Sequence, residues 1–328
     1  MADLLDLFNG EDEGVMAEAV PPPVSPTVAR RRVRLALREA REAANLTQLE
    51  VAEEMEWSLS KVIRIENGDV SISPNDLRPL LSYLKIKDRA QISALIGDAK
   101  IARLRQHVAW WQDASFRDIS PQLRQFFEYE SVAVAVRTFN IRYFPGALQL
   151  PEYARALTGP FADEAQPFSG DPLSADRVEA VIEARRLRRE AMLSRLGSME
   201  YRTVLDQGVF LRSTGGPAVF VRQLREMQRL ATEDLIRMRM LPFDLDVPIA
   251  NNASFDLLSL GGVGPGNEVM YRENGITDEI IEDKNATSRH LQRFEQLWKV
   301  SLDEDETATF VGDRISYLEN MISAGDDA

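Results

Sequence analysis

The chain has 328 residues, of which 44% are hydrophobic, a formal net charge of −13 at pH 7 and no cysteine. That length accommodates two domains and that apolar share is globular, while the lack of cysteine excludes disulfides and thiolate metal sites. No basic leader precedes an apolar run and no stretch of about 18 apolar residues occurs, so neither a signal peptide nor a membrane span is expected, and a cytoplasmic protein is the default.

Residues 1–27 read as a flexible tail. Its first 24 residues hold six acids (Asp3, Asp6, Glu11, Asp12, Glu13, Glu18) and no Lys or Arg, and Pro21-Pro-Pro-Val-Ser-Pro26 follows. Leu4, Leu5, Leu7 and Phe8 leave a short amphipathic helix open, as a docking peptide or as a DNA mimic folded back on basic helices.

Residues 28–105 read as a compact five-helix unit. Its first helix carries Arg30, Arg31, Arg32, Arg34, Arg38 and Arg41, with Leu35, Leu37, Ala40 and Ala44 on its apolar side. Thr47 sits where an N-cap belongs, and Glu50 three residues on completes a capping box. Leu49, Val51, Ala52 and Met55 recur at helical spacing and predict the buried face of the second helix. Trp57 falls in the turn, where a large ring plugs the gap between helices. Ser58 caps a third helix running to about Asn67, with Val62 and Ile65 inward, Leu59 or Ile63 partly covered, and Ser60, Lys61 and Arg64 outward. Gly68 supplies a left-handed stop. Pro74 opens a fourth helix striped by Leu77, Leu80, Leu81 and Leu84, and a fifth runs from about Arg89 to Arg105. Two short helices joined by a tight turn, the second presenting cations, is the layout of a helix-turn-helix DNA reader. From Val28 to Lys100 there are 13 Lys or Arg against 11 Asp or Glu, a net of +2, so weak nonspecific affinity for DNA is expected.

Residues 106–328 read as an α+β unit. Val108-Ala-Trp-Trp111 leads into a helical run from Gln122 through Ala133, with Phe126, Phe127 and Tyr129 as core or dimer-seam aromatics. Thr138–Tyr143 reads as extended, Pro145-Gly146 as a turn and Pro151 as the first turn of a helix. Asp176–Leu196 is a long basic helix with Val178, Val181, Ile182, Ala184 and Leu187 inward. Tyr201–Asp206, Ile236–Leu241, Phe255–Leu260 and Glu268–Glu273 read as strands, and Pro217–Asp234, Asp278–Val300 and Glu304–Tyr317 as helices. The fold class is therefore mainly α with a smaller β component.

Two resemblances cover nearly all of the chain past residue 27. On Gln48, Val51, Ala52, Ser58, Lys61, Ile65, Glu66, Asn67 and Gly68, residues 28 to about 100 resemble the XRE-type, lambda-repressor-like helix-turn-helix family. That resemblance implies that Leu59, Ser60 and Arg64 face base edges, and that Gln48, Ser58, Lys61 and Arg38 meet phosphates of double-stranded DNA. Leu59 departs from a polar base reader and suits at most a thymine methyl. On Phe144-Pro-Gly-Ala-Leu-Gln-Leu-Pro-Glu-Tyr-Ala-Arg-Ala-Leu157, with Glu128-Tyr-Glu130, Glu183-Ala-Arg185, Leu241-Pro242 and Val269-Met-Tyr-Arg-Glu273, the rest resembles the domain behind the reader in the WhiJ-like group of actinobacterial regulators. Ala147, Leu150 and Arg188-Arg189 depart from that group's pattern. The resemblance implies a regulator of development or secondary metabolism, paired in antitoxin-like fashion with a small partner protein encoded nearby, or answering a small-molecule effector. Phe144, Gln149, Tyr153 and Arg185 are the candidate partner or ligand residues.

Nothing points to chemistry. His107 and His290 are the only histidines, no HExxH or Gly-x-Ser-x-Gly occurs, and no metal or cofactor is expected. Gly261-Gly-Val-Gly-Pro-Gly266 lacks the Lys-Ser/Thr and helix of a phosphate loop and reads as a hairpin loop. Three functions remain: a homodimeric DNA-binding regulator, a partner-binding protein with secondary DNA binding, and an enzyme fused to a reader.

Overall fold

The computed structural model describes residues 24–104, 109–116, 119–159, 175–245, 253–261, 266–273 and 278–326. Most of the acidic tail, and His107, lie outside these residues.

The N-terminal unit holds α1 (Pro26–Ala43), α2 (Gln48–Glu54), α3 (Leu59–Asn67), α4 (Pro74–Tyr83) and α5 (Arg89–Ile101). The helix starts follow side-chain caps. Ser25, Thr47, Ser58, Ser73 and Asp88 each accept a bond from the first turn of the helix behind them. α1 thus begins at Pro26, inside the last residues of the expected tail. Val33, Leu37, Val51, Ala52, Val62, Ile65, Leu77, Leu80 and Leu81 form one core. Leu49 does not join it and is 51% exposed. Val51, Ala52 and Met55 define the buried seam of this short helix, and Leu49 is turned about 200° from Val51 at 100° per residue.

The C-terminal unit is a six-stranded sheet in the order β3-β2-β1-β4-β5-β6. The strands are β1 (Ala133–Asn140), β2 (Glu200–Asp206), β3 (Arg237–Leu241), β4 (Phe255–Leu260), β5 (Glu268–Glu273) and β6 (Asp278–Ile281). β1, β2 and β3 are parallel, and β4, β5 and β6 continue antiparallel from the other side of β1. One face packs against α6 (Pro121–Glu130), α7 (Pro151–Thr158), α8 (Ala175–Leu193), α9 (Gln207–Leu211), α10 (Pro217–Thr232) and α12 (Glu304–Asp326). The other face is covered by α11 (Lys284–Val300), through Phe294 and Leu297. Trp110, Trp111, Phe126 and Phe127 form a ring cluster with centroids 5.0–6.5 Å apart, and Phe126 stacks on Tyr271 at 4.3 Å.

Several expected helix ends shift, as α5 stops at Ile101, α8 at Leu193 and α12 runs on to Asp326, and in two places helix and strand change over. The strand expected at Thr138–Tyr143 runs instead from Ala133 to Asn140, and the preceding helix stops at Glu130. β1 is a central strand with both faces covered, so its sequence carries no alternation to announce it. The helix expected from Asp278 begins at Lys284, capped by Asp283, and Asp278–Ile281 is an edge strand too short to display a period. The glycine-rich segment expected as a hairpin loop lies outside the described residues at 262–265; it is flanked by the antiparallel β4 and β5, where the Leu260 amide donates to the Asn267 carbonyl at 2.9 Å.

Candidate nucleic-acid interface

The reader is built around one buried carboxylate. Glu66, in the last turn of α3, is 4% exposed. It accepts two bonds from Arg41 (Nε–Oε1 2.7 Å, Nη2–Oε2 3.0 Å) and one from the Gln48 amide at 2.8 Å. Arg38 Nη2 donates to the Glu66 carbonyl at 3.4 Å. The sequence signals only that Glu66 precedes a helix stop; its partners come from α1 and α2. The hub ties three helices together and fixes where Gln48 and Arg38 stand.

The turn between α2 and α3 is equally determined. Thr47 and Glu50 exchange both bonds of the capping box, which holds the Glu50 carboxyl below its usual range. Ala52, 2% exposed, lets α3 approach closely. Glu56 takes a left-handed φ of 53°, and the Trp57 amide donates to the Ala52 carbonyl at 2.8 Å. The half-buried Trp57 ring lies 3.7 Å from the Lys61 ammonium, which also pairs with Asp76 at 3.3 Å. α3 ends on Gly68 at φ 88°.

With its inner edge fixed in this way, α3 exposes Leu59, Ser60, Arg64 and Asn67. Arg64 forms no ion pair among the described residues. Of the residues expected at phosphates, Ser58 is exposed at the N-terminus of α3, and Gln48, Lys61 and Arg38 stand beside the same surface already engaged by Glu66 or Asp76. The basic first helix contributes less positive surface than its composition suggests. Arg31 and Arg34 are each 4% exposed and point into the C-terminal unit.

That junction is polar and buried. Arg31 donates from Nε to Glu282 Oε1 at 2.8 Å, and from its two Nη atoms to the Gly266 and Glu268 carbonyls at 3.0 and 3.1 Å. Arg34 donates to Glu282 Oε2 and, at 2.7 Å, to the Tyr129 hydroxyl, which donates to Glu282 Oε1 at 3.1 Å. Burial opposes the charge on Glu282, but Arg34 and Arg31 outweigh it and hold the carboxyl below its usual range. Burial, then Glu282, pushes Tyr129 up to about 12. A Cβ on Gly68 would meet Arg34 Cδ and Nε at 3.0 Å, so the end of α3 rests on the side chain that the C-terminal unit grips.

Three of the four candidate ligand residues of the second unit are taken up by packing. Phe144 and Tyr153, at 1% and 0% exposure, pack on each other and on Phe220. Gln149 Nε2 closes the loop onto the Phe144 carbonyl at 2.8 Å. The buried Gln223 donates to the Leu148 carbonyl at 3.1 Å and accepts from the Leu150 amide at 2.7 Å. A Cβ on Gly146 would come within 2.6 Å of Nη1 of Arg188, whose Nε and Nη2 each donate to Glu130 at 2.7 Å and hold the guanidinium in place. The Pro-Gly motif is thus a clasp around α8, and three of the four expected residues belong to its packing. Arg185 differs: it is partly exposed and donates to the Thr158 hydroxyl at 2.7 Å and the Ala154 carbonyl at 3.4 Å. His290 rests its Nδ1 on the Ala286 carbonyl at 2.9 Å. Among the described residues no helix is long and apolar enough to cross a membrane.

A family model described as a helix-turn-helix domain matches residues 32–95, and one described as a domain of unknown function, DUF5753, matches residues 123–313. No curated protein and no solved structure matches the chain.

Proposed function

The chain belongs to the DUF5753 family and carries a helix-turn-helix domain ahead of that segment, and on this footing we propose that it is a sequence-specific DNA-binding transcriptional regulator. In this reading residues 28–105 are the reader and residues 106–328 an effector and dimerisation domain. The observation that carries it is the solvent-facing edge of α3, where Leu59, Ser60 and Arg64 are exposed while every inward residue is locked by core, cap or Glu66. Arg64 takes the base edge, with Ser60 beside it and Leu59 against a thymine methyl. Gln48, Ser58, Lys61 and Arg38 set the register on phosphates. A homodimer reading half-sites one helical turn apart supplies the avidity that a mildly basic reader lacks.

The WhiJ-like resemblance extends the proposal to an actinobacterial regulator of development or secondary metabolism. The buried junction favours effector control of DNA binding, because a change at Glu282 or Tyr129 moves Arg34, against which α3 ends. Selection from random duplexes followed by titration tests the DNA reading. Arg64→Ala is expected to lose site preference, and Gln48→Ala to weaken all sequences alike. Equal binding of selected and random duplexes by the unmodified protein would end the proposal.

A further inference from the structure

The α7/α8 face of the sheet carries a row of polar side chains. Thr203 on β2, Thr138 on β1, Asp256 on β4 and Tyr271 on β5 are successive cross-strand partners. Strand side chains alternate, so Asn140 and Glu273, two positions beyond Thr138 and Tyr271, share that face, as does Tyr201 on the other side of the row, two positions before Thr203. Arg188 on α8 and Glu130 on α6 are close enough to Asp256 to act on its carboxyl in opposite directions, and Arg185 acts on Glu273 in the same way. Asp256, Asn140, Arg185 and Arg188 are partly exposed and Glu273 is exposed, so the row meets solvent at its Glu273 end.

The place is also telling. The chain lays β2 and β3 outward from one side of β1, then returns to add β4 on the other side. Asn140 ends β1, and Asp256 is paired beside that end. In open α/β sheets the crevice beyond the carboxyl ends of the strands, where strand order reverses, is the usual ligand position.

The hydrogen-bonding inventory is unbalanced there. Arg188 is satisfied by Glu130. Neither Asp256 nor Glu273 has an ion-pair partner among the described residues, and Asn140 Oδ1 is buried without a donor. Among the described residues Arg185 is the one cation at this crevice whose hydrogen bonds go only to neutral oxygens, those of Thr158 and Ala154. Three acceptors therefore lack donors, and Arg185, which Glu273 attracts without an ion pair, gives its hydrogen bonds to neutral groups alone. We infer that the crevice binds a small primary amine carrying a hydroxyl or carbonyl oxygen, with the ammonium on Asp256 and Glu273, an N–H on Asn140 Oδ1, and the oxygen on Arg185.

Acidity supports this. Burial, against the pull of Arg188, pushes the Asp256 carboxyl up to about 7, and Glu130 and Glu273 push the same way. Among the described residues the charged and titratable groups facing the crevice are Arg185 and Arg188 from α8, Glu130 from α6, Tyr153 from α7, Tyr201 from β2, Tyr271 and Glu273 from β5, and Asp278 from β6, which acts on both of the last two. An arriving cation favours ionised Asp256, so affinity rises with pH through neutrality.

The inference rests on the effector-domain reading, but it is tested without DNA, so its failure leaves the reader untouched. Full-length protein is titrated with ethanolamine and glucosamine by calorimetry and by saturation-transfer NMR at pH 6 and pH 8, with acetate and inorganic phosphate as anionic arms. The expected result is saturable, single-site amine binding that is tighter at pH 8, and weaker by about tenfold or more in Asp256→Asn. Glu273→Gln is expected to weaken binding less. The Asp256→Asn variant removes an ill-solvated charge, so it folds, and its melting curve verifies this. Equal amine binding by Asp256→Asn and unmodified protein overturns the site, as does binding of acetate or phosphate without amine.

Discussion

Two arginine-bearing helices meet opposite fates in this molecule. α3 offers a lone arginine, Arg64, and it stands in solvent without an ion pair among the described residues. α8 carries Arg185, Arg186, Arg188 and Arg189 in five positions and spends them inside the protein or on its own surface. Arg188 pairs with Glu130, and Arg189 with Glu226 and the Leu148 carbonyl. Arg186 pairs with Glu183 and Glu190 along the helix. Cation density in sequence therefore says little about a nucleic-acid face. What decides is whether an acid waits within reach, on the same helix or on an opposing element. α1 repeats the lesson within the reader itself, since Arg31 and Arg34 are claimed by Glu282.

Removing one of those acids breaks the comparison most severely. Glu130→Ala leaves Arg188 buried without its partner, and the side chains of the pair are only 8% and 12% exposed. Loss of one member of a buried pair costs about 3–5 kcal/mol, readable as a shifted denaturation midpoint with unchanged slope. Replacing both members with apolar residues, as in E130L with R188M, is expected to recover most of that loss. If the single and double variants were equally unstable, α8 would owe its place to something other than this pair.

A second, smaller effect tests the same buried neighbourhood through pH. The folded state holds Asp256 at about 7, chiefly by burial. Its value in the unfolded chain is about 3.9. Between those values the native state binds the extra proton, so stability falls as pH rises from 5 to 8. Asp256→Asn removes that slope and makes the protein more resistant to denaturant at pH 8. Glu282 has the opposite sign: its lowered carboxyl contributes stability above the ordinary carboxylate range, which is lost as pH falls through its folded value. Denaturation curves at pH 5, 6.5 and 8 for both proteins decide the matter, and an unchanged slope in Asp256→Asn rules Asp256 out.

How much of this was legible depends on how local the physics is. The caps at Thr47 and Ser58, the proline start at Pro74 and the stop at Gly68 act within four residues, and each stands where the sequence places it. The Pro145-Gly146 motif was legible as a turn, but its reason, room for Arg188, lies 42 positions away. The junction was illegible, because Arg34 and Glu282 are 248 residues apart and neither carries a mark. β1 hid for a different reason: burial on both faces erases the alternation that reveals a strand. Of the residues expected at DNA, Leu59, Ser60 and Arg64 lie together on one exposed edge, whereas Gln48, Lys61 and Arg38 also hold the reader together.

Arg64→Ala sharpens the comparison from the other side. An exposed arginine without an ion pair leaves folding stability within about 0.5 kcal/mol, while a lost base contact costs about 1–3 kcal/mol of discrimination. Competition titration between a selected and a scrambled duplex, beside a melting curve, separates the two. A stability loss as large as that of Glu130→Ala would place Arg64 among the structural arginines instead.

The smallest effect lies in the turn that aims α3. Each of the first four helices is followed by a left-handed residue: Asn45, Glu56, Gly68 and Lys85. Only at Gly68 is that conformation free of a Cβ penalty, which for other residues is roughly 1–2 kcal/mol. Glu56 is exposed, its φ is 53°, and its amide already donates to the Glu53 carbonyl, so glycine preserves the turn's bonds. Against the relieved strain stands the greater freedom of glycine in the unfolded chain, about 0.4–1 kcal/mol. The balance leaves Glu56→Gly more stable by roughly 0.5–1 kcal/mol. The same change removes a negative charge from the turn into α3, so nonspecific affinity for duplex DNA is expected to rise at low salt and to converge with the unmodified protein at high salt. A rise that persists undiminished at high salt would mean the substitution had altered the pose of α3 rather than its electrostatics.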